Sequence, residues 1–128
     1  MPTVLIVDDH PDVRKALRDY FERSHLAECC EAANGLDAIE KAQQLNPDLV
    51  LLDISMPVMN GIEAAKALKQ MMPGVPVFML TAYFGASIER LAKESGVSAV
   101  FSKDDVTPMI YRARAVLEPR INVSVARV

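Results

Sequence analysis

The alternation of two hydrophobic periodicities constrains the fold of this chain more than any other feature of its sequence. Five short apolar runs predict β-strands, at Thr3–Val7, Leu26–Cys30, Leu49–Leu52, Val75–Leu80 and Ala99–Phe101. After each run, apolar residues recur at the three- and four-residue spacing of an amphipathic helix. Because strands that alternate with helices need crossover connections, the pattern predicts an α/β fold, a doubly wound parallel sheet of five strands with five helices.

The length of the chain accommodates one such domain. Its 128 residues, of which 51% are hydrophobic, are sufficient for a buried core. The apolar positions of the last predicted helix end at Leu117. We therefore expect the domain to occupy residues 1–118 and residues 119–128 to form a C-terminal tail or a truncated linker. A disordered linker end is the default for that segment, and a short added strand or a dimer contact are the alternatives.

Charge and hydropathy exclude several classes of function. The net charge is −3, whereas nucleic-acid-binding proteins carry an excess of basic residues, so we expect no direct nucleic acid binding by this chain. No apolar run approaches the ~18 residues of a membrane span, and no basic segment leads into an N-terminal apolar stretch. The adjacent residues Cys29 and Cys30 cannot form an ordinary disulfide. These observations predict a cytoplasmic protein.

Residues able to carry chemistry follow the predicted strands. Asp8 and Asp9 come after the first strand, Asp53 after the third, Thr81 after the fourth and Lys103 after the fifth. Ligands of open α/β sheets bind at the carboxyl ends of the strands, where three carboxylates repel one another unless a cation neutralises them. Carboxylate oxygens suit Mg²⁺, and a nearby lysine and hydroxyl suit a phosphoryl group. A carboxylate can itself be the nucleophile in such a transfer.

These residues lie in motifs that resemble the receiver domain of bacterial two-component response regulators, which is CheY-like. The motifs are Leu5–Pro11, Asp48–Gly61, Leu80–Ala82 and Phe101–Lys103, and the resemblance covers about residues 3–118. The Asp-Asp-His-Pro start and the Lys103-Asp104 pair look most similar to receivers that precede a LuxR-type helix-turn-helix domain. The resemblance implies the strand order 2-1-3-4-5 and an output face made of helix four, strand five and helix five.

The resemblance also implies a role for each site residue. Asp53 would accept a phosphoryl group from a sensor histidine kinase or a phosphotransfer protein. Asp8, Asp9, Asp53 and the backbone carbonyl of Ser55 would hold Mg²⁺, with Asp8 acting mainly through a bound water. Thr81 and Lys103 would bind phosphoryl oxygens, and Ala82 would leave room beside them.

The implied function is that of a phosphorylation-controlled switch in two-component signal transduction. Phosphorylation would change the output face and so control a partner or output domain, with homodimerisation as a further option. The chain would then be a phosphoacceptor that assists its own phosphorylation and dephosphorylation, and not a metabolic enzyme. The alternative is a degenerate receiver that acts as a phosphorylation-independent protein-interaction module. An aspartate-nucleophile phosphohydrolase is disfavoured because Ser55 stands where such enzymes commonly carry a second aspartate.

The chain departs from the family pattern in its switch region, Val100 and Phe101. The family usually has Tyr or Phe three residues before the lysine, whereas this chain has Val100 there. Because successive strand residues face opposite sides of a sheet, we expect that Phe101 does not replace the missing ring. Asp104 replaces a common proline, and we expect a trans peptide bond before it. Tyr83 is expected either to screen the phosphoryl site or to face solvent, and His10 to be a solvated or capping residue.

Overall fold

The computed structural model describes residues 1–56 and 59–126, which form one parallel sheet flanked by helices. The strand order is β2-β1-β3-β4-β5, and each neighbouring pair is parallel. This confirms the predicted doubly wound α/β fold. The elements in chain order are β1 Thr3–Val7, α1 Pro11–Arg23, β2 Glu28–Ala32, α2 Gly35–Leu45, β3 Leu49–Asp53, α3 Gly61–Met71, β4 Val77–Thr81, α4 Ala86–Glu94, β5 Ala99–Ser102 and α5 Thr107–Ala126.

Two apolar clusters cover the two faces of the sheet. Alternate residues of β1 enter different clusters, with Val4 and Ile6 on the side of α1 and α5, and Leu5 and Val7 on the side of α2, α3 and α4. Strands β3 and β4 are buried along their whole length. The central strands therefore form a fixed platform whose carboxyl ends carry the polar residues.

The two residues of the predicted switch region lie on opposite faces of β5. Phe101 is buried in the cluster beside α1 and α5, where its ring packs edge-to-face against Phe78 with centroids 5.4 Å apart. Val100 packs against the other cluster. This confirms that Phe101 does not replace an aromatic residue at position 100. The described residues contain no cis peptide bond, as expected for Lys103–Asp104.

Strand β2 differs from the prediction, because it begins two residues later. Leu26 and Ala27 are buried, but they belong to the connection after α1, in which the Leu26 N–H donates to the Phe21 carbonyl at 3.0 Å. The pairing with β1 instead uses the stretch from Glu28 to Ala32. β2 is an edge strand, and the apolar residues just before it are buried by packing without being paired in the sheet.

The sequence predicts a disordered linker end for residues 119–128 by default, but helix α5 continues into this segment. It reaches Ala126 with Pro119 inside it, while residues 127 and 128 lie outside the described part of the chain. Among the described contacts of this segment, Ile121 packs against the core, and Arg120 Nε lies 3.3 Å from Asp48 Oδ1. The Arg120 guanidinium also donates to the Val116 carbonyl at 2.6 Å. In the part of the chain that the structure describes, no helix is both long and apolar enough to cross a membrane.

Candidate functional site

Three strand ends bring Asp8, Asp53 and Lys103 together at the carboxyl edge of the sheet. Lys103 Nζ lies 2.8 Å from Asp8 Oδ2 and 3.1 Å from Asp53 Oδ1. The two aspartates are 1% and 3% exposed, respectively, so this pairing is removed from bulk water. One positive charge faces two buried negative charges, and the arrangement attracts a further cation.

Asp9 and His10 complete the acidic cluster from the start of α1. One ligand atom from each of Asp8, Asp9, His10 and Asp53 lies within 4.8 Å of all the others. The His10 ring approaches both neighbouring carboxylates, with Nδ1 3.1 Å from Asp8 Oδ1 and 3.0 Å from Asp9 Oδ1. His10 is at the N-cap of α1, but its side chain makes no capping hydrogen bond. The sequence does not predict this contact, and its only signal there is that His10 directly follows the acidic pair.

The donor set fits a magnesium ion. Asp8 Oδ2 and Asp9 Oδ1 are buried and accept no well-aligned hydrogen bond from the described residues, although Lys103 and His10 lie at ion-pair distance. Unsatisfied carboxylate oxygens are hard ligands of the kind that Mg²⁺ prefers, and an open side of the cluster leaves room for its waters. The cluster is therefore typical of a magnesium-binding site.

The charges shift the ionisation of Asp53 and Lys103 in the same direction. Burial, reinforced by the charge of Asp8, raises the pKa of Asp53, while Lys103 and the Ser55 N–H oppose that rise. Burial lowers the pKa of Lys103, but its close ion pairs with the two aspartates outweigh burial and hold that pKa above its ordinary value. Lys103 is therefore a permanent cation, whereas the negative charge of Asp53 destabilises the folded state.

The remaining predicted site residues surround an open cleft above this cluster. Thr81 is fully buried, and its Oγ1 accepts a hydrogen bond from the Tyr83 N–H at 3.0 Å. The Ser55 N–H donates to Asp53 Oδ1 at 3.3 Å. The cleft has a volume of about 530 Å³, with Asp9, Ser55 and Thr81 among its polar lining residues. Ala82 is exposed beside it.

Tyr83 lies at the rim of the cleft and is 80% exposed, so it adopts the solvent-facing alternative. The switch-region residues are not part of the acidic cluster. Val100 and Phe101 instead line a separate depression of about 290 Å³, together with Phe84 of the loop between β4 and α4.

A close backbone approach fixes the loop that follows Asp53. The Gly61 N–H donates to the Ile54 carbonyl at 2.9 Å. A Cβ atom at residue 61 would lie 2.3 Å from the Asp53 carbonyl oxygen and 2.7 Å from Ile54 Cα. Glycine at this position therefore allows α3 to begin directly against the end of β3.

Comparison with protein families agrees with this geometry. Residues 4–113 match the model of the response regulator receiver domain. The chain belongs to the response regulator receiver family. Receivers are signalling phosphoacceptor modules of two-component systems, and they interact with histidine kinases and other signalling proteins.

Relatives of this receiver include regulators of the LuxR type. The transcriptional regulatory protein LnrK of Bacillus subtilis (strain 168) is 39% identical over 114 residues, which cover 88% of this chain and 52% of LnrK. A LuxR-family two-component response regulator from Aurantimonas sp. SI85-9A1 has a TM-score of 0.83 at 28% identity, over 91% of this chain and 85% of that one. The receiver spans about half the length of the curated relatives that it matches.

A third similar protein was solved with a metal and a fluoride compound. It is a chain of the CheX–CheY–BeF₃–Mg²⁺ complex from Borrelia burgdorferi, with a TM-score of 0.82 and 28% identity over 90% of this receiver and 88% of that chain. The CheY-like fold of the present receiver is thus matched by proteins of related sequence.

The first prediction concerns the buried charge of Asp53. We expect Asp53→Asn to stabilise the metal-free receiver at pH 7 by about 1–2 kcal/mol, because it removes one of two neighbouring buried carboxylates and leaves the other, Asp8, paired with Lys103. The folded-state pKa of Asp53 is raised, so the wild type loses stability as pH rises through that pKa and keeps it fully below the ordinary pKa of Asp. The advantage of the variant should therefore shrink as pH falls toward that ordinary value.

Urea unfolding in EDTA, at pH 7 and at acidic pH, measures the difference between the two proteins. Asp104→Asn is the matched control, because Asp104 is an exposed acid. A variant at Asp53 that is no more stable than the wild type at pH 7 would contradict the prediction.

Proposed function

We propose that this chain is a phosphorylation-controlled response regulator receiver whose phosphoacceptor is Asp53. The single observation that carries the proposal is the buried Asp53 carboxylate, which lies within ion-pair distance of Lys103 and within the acidic cluster of Asp8 and Asp9, beside an open cleft. The donor is a sensor histidine kinase or a phosphotransfer protein. The protein acts in the cytoplasm, without contacting nucleic acid itself.

The proposed reaction is an in-line transfer to one Asp53 oxygen. Oδ1 is the oxygen that Lys103 and the Ser55 N–H contact, so we assign the attack to Oδ2. The Oδ2–P bond forms as the bond from phosphorus to the donor nitrogen breaks, and the imidazole leaves with the electron pair of that bond. Asp8, Asp9, Asp53 and the Ser55 carbonyl would hold Mg²⁺, which supplies neutralisation of the phosphoryl charge when bound.

Lys103 and Thr81 would then exchange partners. The ammonium group of Lys103, now 3.1 Å from Asp53 Oδ1, would pair with a phosphoryl oxygen. The Thr81 hydroxyl, which accepts the Tyr83 N–H, would turn to donate to another phosphoryl oxygen. The Tyr83 N–H would then lose its hydrogen bond to Thr81, and the loop between β4 and α4 would be released. Ala82 in that loop is small enough to leave room for the phosphoryl group.

The output would be a population shift of the face formed by α4, β5 and α5. New charge-assisted hydrogen bonds supply a few kcal/mol, sufficient to make a minor arrangement dominant. That face would control a partner, a second copy of the receiver or an output domain. The relatives of this chain are about twice its length, and LnrK is a transcriptional regulatory protein by name, which supports control of transcription as the output.

Incubation with acetyl phosphate and Mg²⁺, followed by intact mass measurement, tests the proposal. We expect one phosphoryl adduct on the wild type and none on Asp53→Asn. Size-exclusion chromatography of the same samples shows whether phosphorylation produces a dimer. An adduct on both proteins would place the acceptor elsewhere. No adduct on the wild type would contradict the proposal and favour the alternative, a degenerate receiver that acts as an interaction module.

A second prediction concerns the depression that Val100 leaves open. A tyrosine at position 100 would fill part of the 290 Å³ that Phe84 and Val100 line. We expect Val100→Tyr to change the response of the output face more than the phosphorylation of Asp53, because residue 100 lies outside the acidic cluster. Phe84→Trp supplies the reporter, since the chain has no tryptophan.

The fluorescence change on phosphorylation is measured in two proteins, Phe84→Trp alone and Phe84→Trp combined with Val100→Tyr. We expect it to differ clearly between the two backgrounds while the yield of the adduct stays the same. An identical fluorescence change in both backgrounds would show that residue 100 takes no part in the response.

A further inference from the structure

Arg14 of helix α1 contacts the main chain of the acidic pair, Asp8 and Asp9, and not its carboxylates. Its NH1 group donates to the main-chain carbonyl of Asp8 at 2.7 Å, and its Nε donates to Glu31 Oε1 at 2.9 Å. The side chain is 17% exposed, so both hydrogen bonds are shielded from water. Arg14 therefore links the peptide between Asp8 and Asp9 to the edge strand β2.

Glu31 is itself held from several sides. Arg18 NH1 lies 2.5 Å from Glu31 Oε2, and the Lys41 ammonium donates to the Glu31 carbonyl. Burial raises the pKa of Glu31, but the hydrogen bonds from Arg18 and Arg14 outweigh burial and keep that pKa below its ordinary value. Glu31 is therefore a fixed anion that holds the Arg14 guanidinium in place.

The orientation of one peptide decides where two carboxylates point. The Asp8 N–H donates to the Ala32 carbonyl at 3.1 Å, and the Asp8 side chain faces Lys103 and His10. The Asp8 carbonyl, at the other end of the residue, is the group that Arg14 binds. Rotation of the peptide after Asp8 would move Asp9 relative to Asp8 and spread the oxygens of the cluster.

We propose that Arg14 is a positioning residue for the cation site. It holds the Asp8–Asp9 peptide so that both carboxylates face the same point, and Glu31 keeps it there. This inference rests on the proposed function only in requiring that the cluster binds Mg²⁺. It does not require that Asp53 is phosphorylated.

The sign of the effect separates positioning from simple electrostatics. Arg14 is a cation near a cation site, so loss of its charge alone would tighten Mg²⁺ binding. Loss of positioning would weaken it, and groups that orient metal ligands typically contribute about 10-fold or more to affinity. We therefore expect Arg14→Met to weaken Mg²⁺ binding by about 10-fold.

Arg18→Met is the matched control. Arg18 lies on the same helix and contacts the same Glu31 carboxylate, but its other hydrogen bonds go to the Cys29 carbonyl and to Glu22 Oε2, and not to Asp8. We expect Arg18→Met to leave Mg²⁺ affinity within about twofold of the wild type, since it removes a comparable ion pair without touching the acidic pair. Arg14→Lys, which keeps the charge without the planar fork, should fall between Arg14→Met and the wild type.

Isothermal titration of each folded protein with MgCl₂ measures the affinities, and urea unfolding in EDTA confirms that each variant is folded. If Arg14→Met does not fold, Arg14→Lys replaces it, because it keeps the charge and any weaker Mg²⁺ binding then reports lost positioning. Unchanged or tighter binding by the Arg14 variant, or equal weakening by Arg18→Met, would overturn the inference. A wild type that binds Mg²⁺ without forming an adduct would contradict the proposed function alone.

Discussion

Replacement of Lys103 by methionine is expected to lower the stability of the metal-free receiver by about 2–4 kcal/mol at pH 7. The Lys103 ammonium is the cation between Asp8 and Asp53, at 2.8 Å and 3.1 Å from their oxygens, and it is 18% exposed. Without it, two buried carboxylates face each other uncompensated. Methionine retains most of the apolar stem, so the loss reports the charge and not the packing.

The stability of the same variant should depend more strongly on pH and on Mg²⁺ than that of the wild type. Lys103 at present opposes the rise in the pKa of Asp53, so its removal raises that pKa further. A folded-state pKa above the unfolded one means that stability is lost as pH rises through the folded value and is regained below the ordinary pKa of Asp. A bound cation would replace the lost charge and stabilise the folded state by mass action.

Urea unfolding with EDTA and with excess MgCl₂ measures both effects. We expect Mg²⁺ to restore more stability to Lys103→Met than it adds to the wild type. Lys93→Met is the matched control: Lys93 pairs with Glu89 at 3.0 Å on an exposed helix face, a contact worth about 0.5 kcal/mol or less. If Lys103→Met unfolds in EDTA at the wild-type urea concentration, Lys103 does not compensate the aspartates.

Gly61→Ala is expected to lower stability by about 2–4 kcal/mol and to slow phosphorylation of Asp53 by about 10-fold or more. The added methyl group would lie 2.3 Å from the Asp53 carbonyl oxygen and 2.7 Å from Ile54 Cα. They are backbone atoms of the last residue of β3 and of the residue after it, so the backbone that carries Asp53 must move. Alanine favours a helix over glycine, and a net loss therefore reports the steric conflict alone.

Gly74→Ala is the control, because a methyl group at residue 74 meets no atom within 4 Å. We expect it to leave the urea midpoint and the rate of adduct formation unchanged. Equal behaviour of the two alanine variants would show that the approach of α3 to β3 has no influence on the site. The rate is measured by intact mass after addition of acetyl phosphate.

The acidic cluster could be predicted from the sequence because parallel strands place their carboxyl ends at one edge. Asp8, Asp53 and Lys103 are distant in the chain, yet each lies at the end of a strand or directly after it, and the sheet topology alone brings them together. The faces of Val100 and Phe101 were predictable for a similar reason, because strand residues alternate. In both cases a repeating backbone geometry determines the position.

Features that depend on tertiary contacts could not be predicted in this way. The start of β2 depends on which residues pair with β1. Leu26 is buried by packing against the core, but it does not pair with β1. The contacts of His10 and Arg14 with the acidic pair depend on side-chain conformation and on a main-chain carbonyl. The end of α5 depends on packing of Ile121, which opposes the helix-breaking tendency of Pro119.

The ionic groups around β2 also determine how this molecule meets other molecules. Glu22 accepts the Cys29 N–H, Arg18 donates to the Cys29 carbonyl, and Lys41 donates to the Glu31 carbonyl. These main-chain groups belong to the outer side of the edge strand, where an unpaired strand would otherwise accept an added strand from another chain. Association through this edge of the sheet is therefore blocked by the protein's own side chains. A second copy or a partner that approaches from this side has to bind to the helices.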